Sequence, residues 1–167
     1  MATVIRASPV LWLPKIQDRI KTVLGFPSER VKIVARKNVP MPHPQDILIR
    51  LGPFRIDEGI TFEAGRVATV LHRELLVTIR TRLAVDEPEV DTQWILNTTL
   101  GHFQTEDKVL DSLQNFQPVD QQSNWLLTEP LQLLSGPLPE KDEQSDDGVS
   151  ILVFSASYMP VLDQNYQ

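Results

Sequence analysis

The chain has 167 residues, 41% of them apolar and 23% charged, with a formal net charge of -6 at pH 7 and no cysteine. That length and apolar share suit one packed domain spanning 1–167 and argue against wholesale disorder, and the lack of thiols excludes disulfide scaffolds, cysteine-ligated zinc, iron–sulfur ligation and thiol catalysis. No apolar run approaches the roughly 18 residues that span a bilayer, and residues 1–9 lack a basic start followed by an apolar stretch, so a soluble, unexported chain is expected.

The first element expected is a helix over 12–24. Leu13, Ile16, Ile20, Val23 and Leu24 recur at helical spacing, with Lys15, Asp18, Arg19 and Lys21 on the other side. Pro14 is tolerated in a first turn, Gly25 suits a left-handed cap and Pro27 stops continuation. Residues 30–36 and 46–51 are short and rich in branched apolar side chains, as strands are. The segment 37–45 between them holds Pro40, Pro42 and Pro44 and reads as a loop, because proline cannot donate to a ladder. From Gly52 to Gly65 the mixture of Gly, Pro, acids and single aromatics predicts a long irregular excursion or a small protruding hairpin.

The longest strand signal lies at 66–83. One face reads Leu75, Val77, Ile79, Thr81, Leu83 and the other Leu76, Thr78, Arg80, Arg82, a period of two that calls for one buried and one wet face. Asp91 is placed to cap a helix from Thr92, and Gly101 marks a break before a second helix opening at Thr105 and carrying Val109, Leu110 and Leu113. Strand-like runs follow at 125–134, with Pro130 placing the first at an edge or a bulge, and at 149–158. Residues 136–148 between them have the composition of a solvated loop. The expected fold is therefore α/β of the α+β type: a mostly antiparallel sheet flanked by an N-terminal helix and a central helix pair, with loops at 37–45, 52–65 and 136–148.

Charge is unevenly divided. Residues 1–85 hold 14 of the 16 Lys and Arg against 7 of the 22 acids, and residues 86–167 hold 2 against 15. Arg73, Arg80 and Arg82 are expected to form a basic patch, and ion pairing with the acidic half, within the chain or between subunits, is its expected use. Nucleic-acid binding would need interleaved aromatics or more Lys and Arg nearby. Phosphate-loop, dinucleotide, zinc-protease and nucleophile-elbow signatures are absent from the sequence. His43, His72 and His102 are isolated in sequence, and only a pocket gathering them with acids would support an enzyme. The acidic run 143–148 carries Gly148 at the step of a calcium loop, but Phe154 stands where the bidentate Glu is needed. No catalytic residue, cofactor or metal is expected.

Taken in order, the leading helix, the short strands around a Pro-rich loop, the run from Arg73 to Arg82 with its alternating arginines, Asp91-Thr-Gln-Trp94 and the closing strand 151–158 resemble the neck proteins of tailed bacteriophages. The nearest likeness is to the tail terminator, or tail-to-head joining protein, over about Leu11 to Tyr158. The resemblance implies a non-enzymatic virion protein, made in the host cytoplasm, whose copies form a ring, usually a hexamer. That ring caps the tail tube protein and joins it to the head connector or stopper; DNA passes through without specific binding, and no membrane is involved. Candidate subunit-interface residues are then Arg73, Arg80 and Arg82 on the basic side and Asp142, Glu143, Asp146 and Asp147 on the acidic side. A charge-reversed Arg80 and Arg82 pair is expected to impair assembly more than folding. The same features leave open another neck or baseplate role (a stopper or tube-associated protein) and, in a different class, a small cytoplasmic adaptor that binds a partner through a loop.

Overall fold

A computed structural model describes residues 2–36, 38–62, 66–82, 101–139 and 147–161. In chain order the elements are helix α1 (Pro9–Leu24), a short 3-10 turn (Ser28–Arg30), strands β1 (Val31–Ile33), β2 (Gln45–Phe62) and β3 (Arg66–Arg82), helix α2 (His102–Leu113), and strands β4 (Gln132–Pro139) and β5 (Asp147–Tyr158). The five strands form one sheet in the order β1-β2-β3-β5-β4. Only the β1–β2 pairing is parallel; the other three are antiparallel. This is the α+β arrangement expected, with a mostly antiparallel sheet, an N-terminal helix and a central helix. The expected partner helix beginning at Thr92 lies outside the described residues.

α1 starts three residues earlier than its periodicity suggests, because Pro9 takes a first-turn position where its missing N–H is no loss. Its buried side is Trp12, Leu13, Ile16 and Ile20, whereas Val23 is exposed. The apolar stripe is thus turned toward Trp12, whose ring meets Tyr158 of β5 at 5.5 Å and 55°. Such tilted contact is a favourable aromatic geometry. The inward face of the sheet supplies Ile47, Ile49, Leu75, Val77, Ile79, Leu152 and Phe154, and α2 adds Val109 and Leu113. The alternation read along 75–82 holds: Leu75, Val77, Ile79 and Thr81 are buried, while Arg82 on the opposite face is exposed and Arg80 half-buried.

Several boundaries moved, each for a local reason. The strand expected over 30–36 is limited to Val31–Ile33, and Val34 adds one further bond to the Ile49 carbonyl. Of the two expectations for 52–65, an irregular excursion or a protruding hairpin, the ladder agrees with the hairpin and lengthens its strand through Phe62: β2 and β3 pair from Gln45↔Thr81 to Phe62↔Arg66, and register shifts at Leu51/Phe54 and Asp57/Ile60 absorb the Gly52-Pro53 and Glu58-Gly59 steps as bulges. The run 125–134 is not a strand from its start. Trp125 makes isolated bridges to Val4 and Val119, and regular pairing begins only at Gln132, after Pro130. Gly136–Pro139 belong to β4 and Asp147–Gly148 to β5, so the loop expected at 136–148 is shorter; residues 140–146 lie outside the described residues. α2 begins at His102, with Gly101 as its N-cap, and Thr105 falls inside its first turn.

Two glycines have backbones that a side chain would strain. Gly25 closes α1 at φ +66°, and a Cβ there would meet nothing within 4 Å. Gly136 sits at φ +119°, and a Cβ would come to 2.5 Å from the Ile151 carbonyl oxygen of the neighbouring strand. Gly25→Ala is therefore expected to cost only the left-handed penalty, about 1–2 kcal/mol. Gly136→Ala adds a backbone collision and is expected to cost about 3 kcal/mol or more, toward the upper end for single substitutions. Urea denaturation midpoints of the two variants check the order.

Candidate functional site

The three arginines expected to form a basic patch all lie on β3 but not on one face: Arg80 and Arg82 share the face opposite Ile79 and Thr81, whereas Arg73 falls on the face of Leu75. Arg73, Arg80 and Arg82 each reach a backbone carbonyl of the β1–β2 connection or of β2 itself. Arg80 Nε and Nη2 donate to Asp46 Oδ1 at 2.7 Å and Oδ2 at 2.5 Å, and Nη1 donates to the Val39 carbonyl at 2.6 Å. Arg82 donates to the Met41 carbonyl from its side chain and to the Pro44 carbonyl from its backbone. Arg73 Nε donates to the Gly52 carbonyl at 3.3 Å, with its guanidinium carbon 5.6 Å from the Phe54 ring centre. The loop before β2 holds three prolines that cannot donate to a ladder, and Arg80 and Arg82 bind its carbonyls instead. Arg80's acidic partner, Asp46, is fully buried and lies in the basic half of the chain. Among the described contacts none of the three arginines bonds a side chain of the acidic half. Of the four acidic candidates, Asp142, Glu143 and Asp146 lie outside the described residues, and Asp147 is the register partner of Arg82.

The two faces of β3 carry two histidine clusters, a buried one around His102 and a half-buried one around His72. At the start of the β2–β3 ladder, Gln45 Nε2 donates to Thr81 Oγ1 at 3.2 Å and to Thr105 Oγ1 at 3.0 Å. Thr81 Oγ1 is 2.7 Å from His102 Nδ1. Ser150 Oγ donates to Glu106 Oε1 at 2.6 Å. Its single proton is then spent, so His102 Nε2–H is the donor across the 2.7 Å to Ser150; Glu106 Oε1 stands 3.1 Å from the same nitrogen. A hydrolytic triad needs the serine and the carboxylate on opposite ring nitrogens. Here both crowd Nε2, and Ser150 is buried. The network joins the first turn of α2 to β2, β3 and β5.

On the opposite face, His72 Nδ1 lies 2.6 Å from Ser157 Oγ, which donates to Glu129 Oε1 at 2.6 Å. His72, Arg55, Arg73, Glu74 and Ser155 line a cleft of about 260 Å³. Serine is the middle member of this chain, and Ser157 is fully buried, so it too lacks a presented nucleophile. His43 joins neither cluster; it lies in the Pro-rich loop. The sequence reading missed Gln45, Asp46, Glu106, Ser150 and Ser157. A usable signal was there: Thr81 and Ser150 are polar at inward positions of alternating strands, and His102 and Glu106 are four apart on a helix.

Among the described side chains of the sheet the most exposed apolar ones are Phe54 (53% exposed) and Ile56 (59% exposed). They stand opposite Arg73 and Leu71, at the last rungs where β3 still pairs with β5. Pairing of β3 with β5 stops at Leu71↔Tyr158, and Arg66–Val70 pair only with the end of β2. Five residues extend the hairpin roughly 16 Å beyond the sheet.

No family model matches the chain, and no curated protein matches it. Among solved structures, a chain of "Virion of native gene transfer agent (GTA) particle" aligns at a TM-score of 0.48 and 14% identity, covering 86% of this chain and 91% of that one.

Two predictions follow from these networks. Burial pushes the Glu106 carboxyl up, but the hydrogen bonds from His102 and Ser150 and the attraction of His102 outweigh it and hold the group below its ordinary value. A depressed folded value means that stability is fully present above the unfolded value near 4.3 and is lost as pH falls through the lower folded value. The urea midpoint of the wild type should therefore drop steeply below about pH 4, and Glu106→Gln should flatten that drop. Reversal of Arg80 is expected to damage folding, contrary to the sequence-based expectation, since Arg80→Glu leaves buried Asp46 facing a second carboxylate, at about 3–5 kcal/mol. Arg82→Glu, at an exposed site, should cost about 0–1 kcal/mol. Thermal melts of the two single variants separate them.

Proposed function

We propose that this chain is a structural subunit of a tailed-phage-like particle, of the tail terminator kind, whose copies form a ring at the neck between tail tube and head connector. The observation that carries the reading is the projecting β2–β3 hairpin. A two-stranded ribbon is marginal in water by itself, and one that exposes Phe54 and Ile56 at its base offers apolar surface of the kind that interfaces use. The order of elements supports the same reading: N-terminal helix, Pro-rich loop stapled to an arginine-bearing strand, central helix and closing hairpin. The two histidine clusters act as internal ties in this account, and the chain's work is to hold neighbours. DNA would pass through the ring against a surface that does not grip it.

The test is assembly. Negative-stain images of the purified protein should show rings, and sedimentation should give a species several-fold above the 19.0 kDa monomer. Raising salt from about 0.1 to 1 M shortens the screening length from about 10 to 3 Å, so assembly should weaken without vanishing. Binding to duplex DNA near 0.15 M salt should be weak. A monomer at every concentration that binds duplex DNA tightly, with a steep salt slope, would overturn the reading. A discrete monomer or dimer without DNA affinity would favour the adaptor.

A further inference from the structure

α2 turns Phe103, Asp107 and Asp111 outward, four residues apart along one stripe, while His102, Thr105, Glu106 and Val109 face the sheet. Phe103 is 53% exposed. The stripe is an apolar ring followed by two carboxylates. The base of the projecting hairpin shows the converse: Phe54 and Ile56 alternate onto one face of β2, opposite Leu71 and Arg73 of β3, and the Arg73 guanidinium lies against the Phe54 ring. We propose that in the assembled protein the Phe54–Ile56 segment of one copy docks on the Phe103–Asp111 stripe of the next.

The occupant is a second copy because the two surfaces complement each other in both apolar character and charge, and because the two aromatic anchors, Phe54 and Phe103, cannot meet within one chain. α2 begins beside Gln45, whose amide bonds Thr105 at 3.0 Å, and Phe54 lies nine residues further along β2. That is about 30 Å of strand. Two different patches on one subunit make a head-to-tail contact, which closes into a ring or runs on as a filament, whereas a two-fold dimer would need one self-complementary patch. Aromatic and aliphatic contacts supply the affinity, and Arg73 against Asp107 and Asp111 sets the orientation. The inference rests on the ring reading only in requiring that copies associate.

The absence of cysteine permits a cross-linking test on the full chain. Ile56→Cys and Phe103→Cys are made as separate variants and oxidised alone and mixed. The expected result is a disulfide-linked dimer in the mixture and little in either alone. Adding Asp107→Lys and Asp111→Lys to the Phe103→Cys copy should lower the cross-link yield by about tenfold or more, and circular dichroism should show that copy folded. Ile56→Cys linking to itself as readily as to Phe103→Cys would overturn the proposal in favour of a two-fold contact. Rings by negative stain without the mixed cross-link would overturn the docking surface and leave the ring reading standing. A mixed cross-link together with short open chains and no rings by negative stain would support the docking and count against the ring. Protection of Ile56→Cys from maleimide by a 30-bp duplex, with no mixed cross-link, would assign the hairpin to DNA and overturn the proposal.

Discussion

The ladder between β2 and β3 is the constraint on which the other elements depend. It runs from Gln45↔Thr81 to Phe62↔Arg66, reaches past the end of the β3–β5 pairing, and its environment changes along its length. At one end its first two rungs are polar and buried: Gln45 and Thr81 face α2, and Asp46 and Arg80 face the Pro-rich loop. In the middle, Ile47, Ile49, Val77 and Ile79 form the core. Past Leu71 no other described strand accompanies it. One hairpin is thus anchored by polar ties, packed by branched side chains and then extended as an arm.

The polar ties explain why the anchored end is specified. A buried carboxylate such as Asp46 is tolerable only with a cation in bidentate contact, and breaking such a pair costs more than its formation contributes. Arg80 meets that demand and, with the same guanidinium, binds a loop carbonyl. The Gln45, Thr81, His102, Ser150 and Glu106 network places α2 in the same manner, because directional bonds at 2.6 to 3.2 Å tolerate little displacement. Both devices act where α2 and the Pro-rich loop meet the sheet. At the base of the arm, Phe54 and Ile56 are exposed.

That division supports the reading of the chain as an assembly subunit. Polar groups that could have formed a reactive centre are instead consumed in holding α2 and β5 to the sheet, with each serine proton committed to a carboxylate. The exposed aromatic groups lie at separate places, Phe54 at the base of the arm and Phe103 on α2. A neighbouring copy can use both.

The sequence by itself determined the elements whose periodicity is intrinsic: the helix closing at Gly25, the alternation of Leu75 to Arg82, the strand ending at Tyr158 and the helix carrying Val109 and Leu113. Those patterns record which side of each element must leave water, a property of neighbouring residues alone. Tertiary structure decided the rest. Gly52-Pro53 reads locally as a break, and only the presence of β3 across the ladder turned it into a bulge. Trp12 entered the core because Tyr158, far along the chain, lies against it. Arg80 was legible as a residue on the wetter face, but its partner Asp46 is 34 residues away, and the pairing of charges follows from which strands become neighbours, a fact that spacing along a single chain does not contain.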